Sequence, residues 1–593
     1  MRKTFKNLTI GLIIALSTAN LTVQACTNFM ITKGASKDGS TMITYAADAH
    51  TFYGELYYRP AATHAPGTML EILDWYDNKP MGFVKQPAQT YSVVGNINEH
   101  QLAISETTFG GRPELRDTTG ILDYFNTIYL TLQRAKTARE AIRIMHELWT
   151  EYGYYRTGES FSISDPNEVW YMELIGKGVK IRDARGNIDP RRNSHGPVWV
   201  AKRVPDGYIS GHANHARITT FPIANPRARV VTSITCRDIN RLERTPSIEV
   251  VYSHDVVTYA QGIGIFDARG KHEDFSFSDV YAPLDFGAAR FCEARVWSGF
   301  MKANRAEMAK YEDYARGDNL KNRMPLWIKP DRKLGLEDAI DMMRDHYQGT
   351  SMDMTKDPGA GPWEKPYRWR PMRWDLNGEN YLHERAISTQ QTAFSFVAQS
   401  RGWMPDPVGG ILWFGVDDTY TTCYVPIYCG INEIPDCFKV GNGDMVTYSP
   451  TSAFWLFNLV SNFAYLRYKD MIVDIKEVQN ELESGFIKKV AENDAMWKNE
   501  TDHSRLVREA TRFSLAQSQH MFNQWKRLQE YLLVKYIDGN IKREVIKDGK
   551  RVFEVEPYPP YNIPVAPLHP RYPDWFYQEI VDKAGENLRY LGD

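Results

Sequence analysis

The feature that most constrains this chain is Cys26, which stands where a leader ends and a strand begins. Arg2, Lys3 and Lys6 make a positive start, residues 8–16 a short and mostly apolar run, and Val23-Gln24-Ala25 a cleavage-type sequence. Together these read as an export signal over residues 1–25, so Cys26 is expected to become the first residue of the mature chain. The apolar run is too short for a stable membrane span. Residues 26–32 then alternate as a strand, Ser36-Lys37-Asp38-Gly39-Ser40 makes a turn, and residues 41–45 return as a second strand. A mature chain that begins inside a hairpin has to bury its own terminus in a sheet.

The rest of the pattern is mixed. A hairpin is expected over residues 91–106, with its turn at 98–101, and a single long helix over residues 121–152. Strands follow at 161–164, 169–174 and 199–204, and later at 393–399, 410–415 and 423–428. Strands, then helix, then strands predict an α+β fold with a four-layer αββα sandwich. Residues 26–450 are assigned to this domain, with an irregular insertion at about 300–385 that is rich in Pro, Trp, Arg and Met. Residues 451–593 are read as a helical C-terminal extension ending in an extended Pro- and Tyr-rich tail at 558–573.

Composition narrows the function classes. The chain has 593 residues, is 43% hydrophobic and 24% charged, and has a net charge of −2 with no basic stripe, so nucleic acid is not an expected partner. Six cysteines are too few for a disulfide scaffold. Cys236, Cys292, Cys423, Cys429 and Cys437 remain beside Cys26, an odd number, and a disulfide within the last three is left open. His212 and His215 lack a third ligand, so no metal and no cofactor is expected.

A cysteine with a free α-amine is chemically unusual. The amine, with a pKa of about 7.7–8.0, is a general base for its own thiol, whose pKa is about 8.5. Nucleophile and base are then one residue. Asp48, after the second strand, is a candidate to orient the amine.

Cys26-Thr27 followed by the run Gly34-Ala35-Ser36-Lys37-Asp38-Gly39-Ser40-Thr41-Met42-Ile43 resembles the opening of the dipeptidase A family, cysteine peptidases of the N-terminal-nucleophile hydrolase superfamily. The likeness continues through Asn98-Glu99, residues 104–112, Gly158-Glu159-Ser160-Phe161, residues 212–218 and residues 410–417. It implies an αββα fold and hydrolysis of dipeptides, or other small amides, through a thioester. It also implies Cys26 as nucleophile, Asp48 as holder of the amine, Asn214 as oxyanion donor and Thr108 at a backbone oxyanion position. Arg290 matches a further active-site arginine, with Arg295 as the alternative. Many relatives have Arg three residues before the acidic residue, where this chain has Tyr45. Tyr45 then either shapes the substrate pocket or leaves the charge to another cation such as Arg290.

Three functions follow as expectations: a periplasmic or secreted dipeptidase acting on small peptides, an amidase acting on bile-salt or penicillin-type acyl amides, and a non-catalytic lipoprotein anchored through Cys26. Oligomeric state is not legible. Intact mass of the exported chain is expected to show a free Cys26 as first residue; a diacylglyceryl adduct there would support the anchored protein instead.

Overall fold

The structure is a computed structural model and describes residues 26–225, 227–369 and 371–592. The expected leader therefore lies outside the described residues. The fold is α+β, built on two large sheets.

The first strand, β1 (Asn28–Ile31), and the second, β2 (Thr41–Asp48), pair antiparallel through Met30↔Ile43 and Ile31↔Met42. The turn between them is set by its side chains. Asp38 Oδ1 accepts from the Ser40 N–H at 3.0 Å, and Ser36 Oγ accepts from the Gly39 N–H at 2.9 Å. Gly39 sits at φ +81°, a conformation that costs other residues strain. The second strand is longer than the sequence pattern predicts and ends on Asp48, because all eight of its residues find buried positions.

β1 and β2 are central in a seven-stranded antiparallel sheet. Ile209–His212 and then Trp327–Ile328 flank β1; Thr392–Ser400, Gly410–Val416 and Val425–Tyr428 continue beyond β2. The other sheet has nine strands and is centred on Ala103–Phe109, Gly158–Ser164 and Val169–Ile175. β1 and β2 contact Ala103–Phe109 and Gly158–Ser164, so the sheets meet across the region that carries Cys26.

Helices lie against both sheets. Helix α1 (Tyr124–Leu132) and helix α2 (Ala138–Tyr152) pack on the nine-stranded sheet. The pattern predicts one helix here and the chain makes two, for a local reason. Thr137 starts α2 by accepting from the Glu140 N–H, and Asn98 Nδ2 donates to the carbonyls of Leu132 and Ala135, both at 2.7 Å, satisfying the end of α1.

The segment 300–385 is less irregular than expected. It contains the helix Leu336–Met343, packed on β2 and on the strand Thr392–Ser400, and the hairpin Arg373–Leu376/Glu379–Leu382.

The helices Ala453–Ala464, Tyr468–Trp497 and His503–Tyr536 follow as the pattern predicts. Trp497 and Phe513 pack on Tyr428 of the last strand, and Trp525 stacks on Phe457 with ring centroids 4.4 Å apart. Glu483 accepts from Arg344 and from the Tyr424 N–H at 2.9 Å, tying the long helices to the sheet. The tail expected to be extended opens as a hairpin, Val555–Tyr558/Tyr561–Pro564. Among the described residues no helix is long and apolar enough to cross a membrane, and all six cysteines are free thiols.

One glycine governs the approach of a helix to β1. A Cβ on Gly299, in the helix Ala294–Ala303, would lie 2.0 Å from the ring of Phe29. No Cβ tolerates that distance, so Phe29 would have to move. Gly299→Ala is expected to destabilise the fold by about 1–3 kcal/mol, the usual cost of overpacking a core, as measured by denaturant unfolding.

Candidate active site

Cys26 lies two residues before β1 and is fully buried. It is held by backbone bonds: the Ala46 N–H donates to the Thr27 carbonyl at 3.1 Å, which extends the pairing with β2 to the residue after Cys26. Its Sγ lies 3.7 Å from the Tyr45 hydroxyl. Tyr45 donates in turn to Glu106 Oε1 at 2.5 Å. Asp48, three residues along β2 from Tyr45, accepts from the Thr392 hydroxyl at 2.6 Å.

The electrostatics follow from burial. Burial first, then the charges of Glu106 and Asp48, push the Cys26 thiol well above its ordinary pKa. The Asp48 N–H and the Tyr45 hydroxyl pull it down, but they do not prevail. Burial likewise raises the Glu106 carboxyl. Burial, and then Glu106 standing against it, raise the Glu159 carboxyl, on the neighbouring strand, well above its ordinary value.

Arg295 binds the other side of Cys26. From the helix Ala294–Ala303 its guanidinium donates to the Cys26 carbonyl at 2.7 Å and the Thr27 hydroxyl at 2.8 Å. The same group donates to the Ala213 carbonyl at 3.1 Å and to Asn214 Oδ1 at 2.8 Å. Asn214 has φ +61°, and its Nδ2 donates to the Thr108 carbonyl at 2.7 Å. One of its two amide hydrogens is thereby used, and the other has no partner among the described residues. Asn214 and Thr108 are half-buried, so they mark the more open side of this otherwise closed group.

Cys26, Tyr45, Asp48, Thr108 and Asn214 thus belong to one connected cluster. Arg290 does not join it; the guanidinium is engaged by Glu384 and by the Arg316 carbonyl. The arginine in contact with Cys26 is Arg295, the alternative in the sequence reading. His212 is held between the hydroxyls of Thr107, at 2.7 Å, and Ser162, at 2.8 Å, and stacks on Tyr171. Burial pushes its pKa well below the ordinary value, so it is a neutral spacer between the sheets.

Glu106 and Glu159 were not singled out by sequence reasoning as members of the site. A signal existed: each is a carboxylate inside a strand whose residues are otherwise apolar or small, an unusual place for a charge.

The model of peptidase family C69 matches residues 25–481 of the chain. A probable dipeptidase of Latilactobacillus sakei is 23% identical over 513 residues, spanning 82% of this chain and 90% of the relative. Probable dipeptidase B of Lactococcus lactis subsp. lactis is 23% identical, spanning 78% and 88%. A dipeptidase of Bifidobacterium longum is 23% identical, spanning 69% and 72%.

A lysine has three donors and no planar fork, so it cannot replace every bond that Arg295 makes. Arg295→Lys is expected to lower stability by about 2 kcal/mol or more, because buried acceptors lose their donors, and the loss is readable as a lower unfolding midpoint.

Proposed function

Since the chain belongs to peptidase family C69, and so is a peptide-bond hydrolase, we propose that it is an exported cysteine dipeptidase with Cys26 as its nucleophile. The observation that carries this reading is the set of groups around Cys26: the Tyr45 hydroxyl with Glu106 behind it, and Arg295, which binds the Cys26 carbonyl and also holds Asn214. Relatives named as dipeptidases over most of their length support the substrate class. The two sheets with helices against each are read as the αββα sandwich of N-terminal-nucleophile hydrolases.

In this reading, removal of residues 1–25 turns the Cys26 amide nitrogen into an amine, and Asp48 holds it. The amine takes the thiol proton as sulfur attacks the peptide carbonyl. The free amide hydrogen of Asn214 and the main chain at Thr108 meet the developing oxyanion, a role typically worth about 3 kcal/mol per donor. The tetrahedral intermediate collapses to a thioester and releases the leaving amine with the proton it receives from Cys26. Water then cleaves the thioester and restores the thiol.

Parallel assays on dipeptides and on N-acylated amino acids test this. Cleavage of the dipeptides, lost by about a thousandfold or more in Cys26→Ala, is the expected result. Preference for acyl amides would reassign the protein to amidase chemistry, and full activity of Cys26→Ala would remove Cys26 from the mechanism.

A further inference from the structure

Position 45 holds a tyrosine beside the thiol, and two carboxyls stand behind it. Glu106 lies on Ala103–Phe109 and Glu159 on Gly158–Ser164; Thr108 is the direct partner of Glu159, so Glu106 faces it diagonally on the same side of the sheet. Both side chains are buried. Glu106 Oε1 accepts from Tyr45, and Glu159 Oε2 accepts from the hydroxyls of Thr108, at 3.1 Å, and Tyr154, at 3.3 Å. The remaining oxygens, Glu106 Oε2 and Glu159 Oε1, are buried and have no hydrogen-bond partner among the described residues. Two ionised carboxylates so placed would repel each other in a dry site; one proton between them satisfies both oxygens and leaves a single negative charge.

The surroundings do not cancel that charge. On the β2 side stand Cys26, Tyr45 and Asp48; on the far side are Tyr154 and Tyr76, with Tyr124 and Asp123 at the start of α1. Two arginines stand nearby: Arg156 is engaged by Asp74, and the Arg295 guanidinium is taken up by the carbonyls of Cys26 and Ala213, the Thr27 hydroxyl and Asn214 Oδ1.

We propose that Glu106 and Glu159 are a proton-sharing carboxyl pair that, through Tyr45, positions the hydroxyl against Cys26 and holds the nucleophile as a neutral thiol. Because Tyr45 gives its hydrogen to Glu106, its oxygen lone pair faces the thiol and accepts the S–H. The negative pair opposes ionisation of the sulfur. Cys26 is therefore not a standing thiolate; its proton leaves only as attack occurs. This rests on Cys26 being the nucleophile, and it makes Glu106, Glu159 and Tyr45 positioning residues.

The test is a pH titration of the thiolate ultraviolet absorbance of the purified protein, with Cys26→Ala as the blank. It needs no substrate, so its outcome is independent of the dipeptidase assay. The expected wild-type midpoint lies above that of free cysteine. Glu106→Gln removes the nearer charge and is expected to lower the midpoint by about one pH unit, about a tenfold rise in thiolate at fixed pH. Glu159→Gln leaves the charge on Glu106 and is expected not to lower it. A merely structural role would not separate the two isosteric changes in this way. If Glu106→Gln fails to fold, Tyr45→Arg serves instead, and its cation is expected to lower the midpoint at least tenfold in thiolate terms. A wild-type midpoint at or below that of free cysteine, an unmoved or raised midpoint in the folded Glu106→Gln or Tyr45→Arg variant, or a lowered one in Glu159→Gln, overturns the proposal.

Discussion

Arg295 makes five hydrogen bonds with five acceptors: the carbonyls of Phe291, Cys26 and Ala213, the Thr27 hydroxyl, and Asn214 Oδ1. A guanidinium has five N–H donors, so none is left over. Burying it is tolerable only because every hydrogen is used. The consequence is geometric. One rigid fork joins the residue that opens β1 to the loop after the strand Ile209–His212, and Asn214 carries the connection on to Thr108 in the other sheet. The relative placement of Cys26, Asn214 and Thr108 follows from that single side chain.

The interface between the sheets is polar near Cys26. Asn28 donates to the Glu106 carbonyl at 2.5 Å, and Thr107 and Ser162 clamp His212. An apolar seam would be simpler to stabilise, since each buried polar group costs free energy unless it is paired. Here Asn28 Nδ2 and the hydroxyls of Thr107 and Ser162 find partners of opposite character. The two carboxyls face like groups and must share a proton.

Much of the architecture was legible from sequence because strands and helices announce themselves by period. The hairpin from Cys26, the strands at 393–399 and 410–415, and the long C-terminal helices fall where alternation and helical spacing put them. The departures are confined to a few elements. The break between α1 and α2 depends on Asn98 reaching from a distant turn to cap carbonyls, which no window of neighbouring residues can contain. The helix Leu336–Met343 was hidden among Pro-rich loops. At the site, Cys26, Tyr45 and Asp48 could be grouped because one strand carries two of them and its hairpin partner begins two residues after the third. Glu106 and Glu159 join only through pairing between strands that are separated by both α1 and α2. The choice between Arg290 and Arg295 turned on rotation within a helical segment, which spacing alone did not resolve.

The hairpin from which Cys26 emerges is local, yet almost everything around it is not. Asp48 waits for Thr392, 344 residues away, and Cys26 for Arg295, 269 residues away. Contacts of such sequence separation form late, because closing long loops loses entropy before any contact compensates. A ribosome therefore delivers Cys26 long before Arg295 and Thr392. For most of its synthesis the chain carries an unassembled thiol, and any truncation before Ser400 yields a polypeptide with the residue but without the environment that defines it.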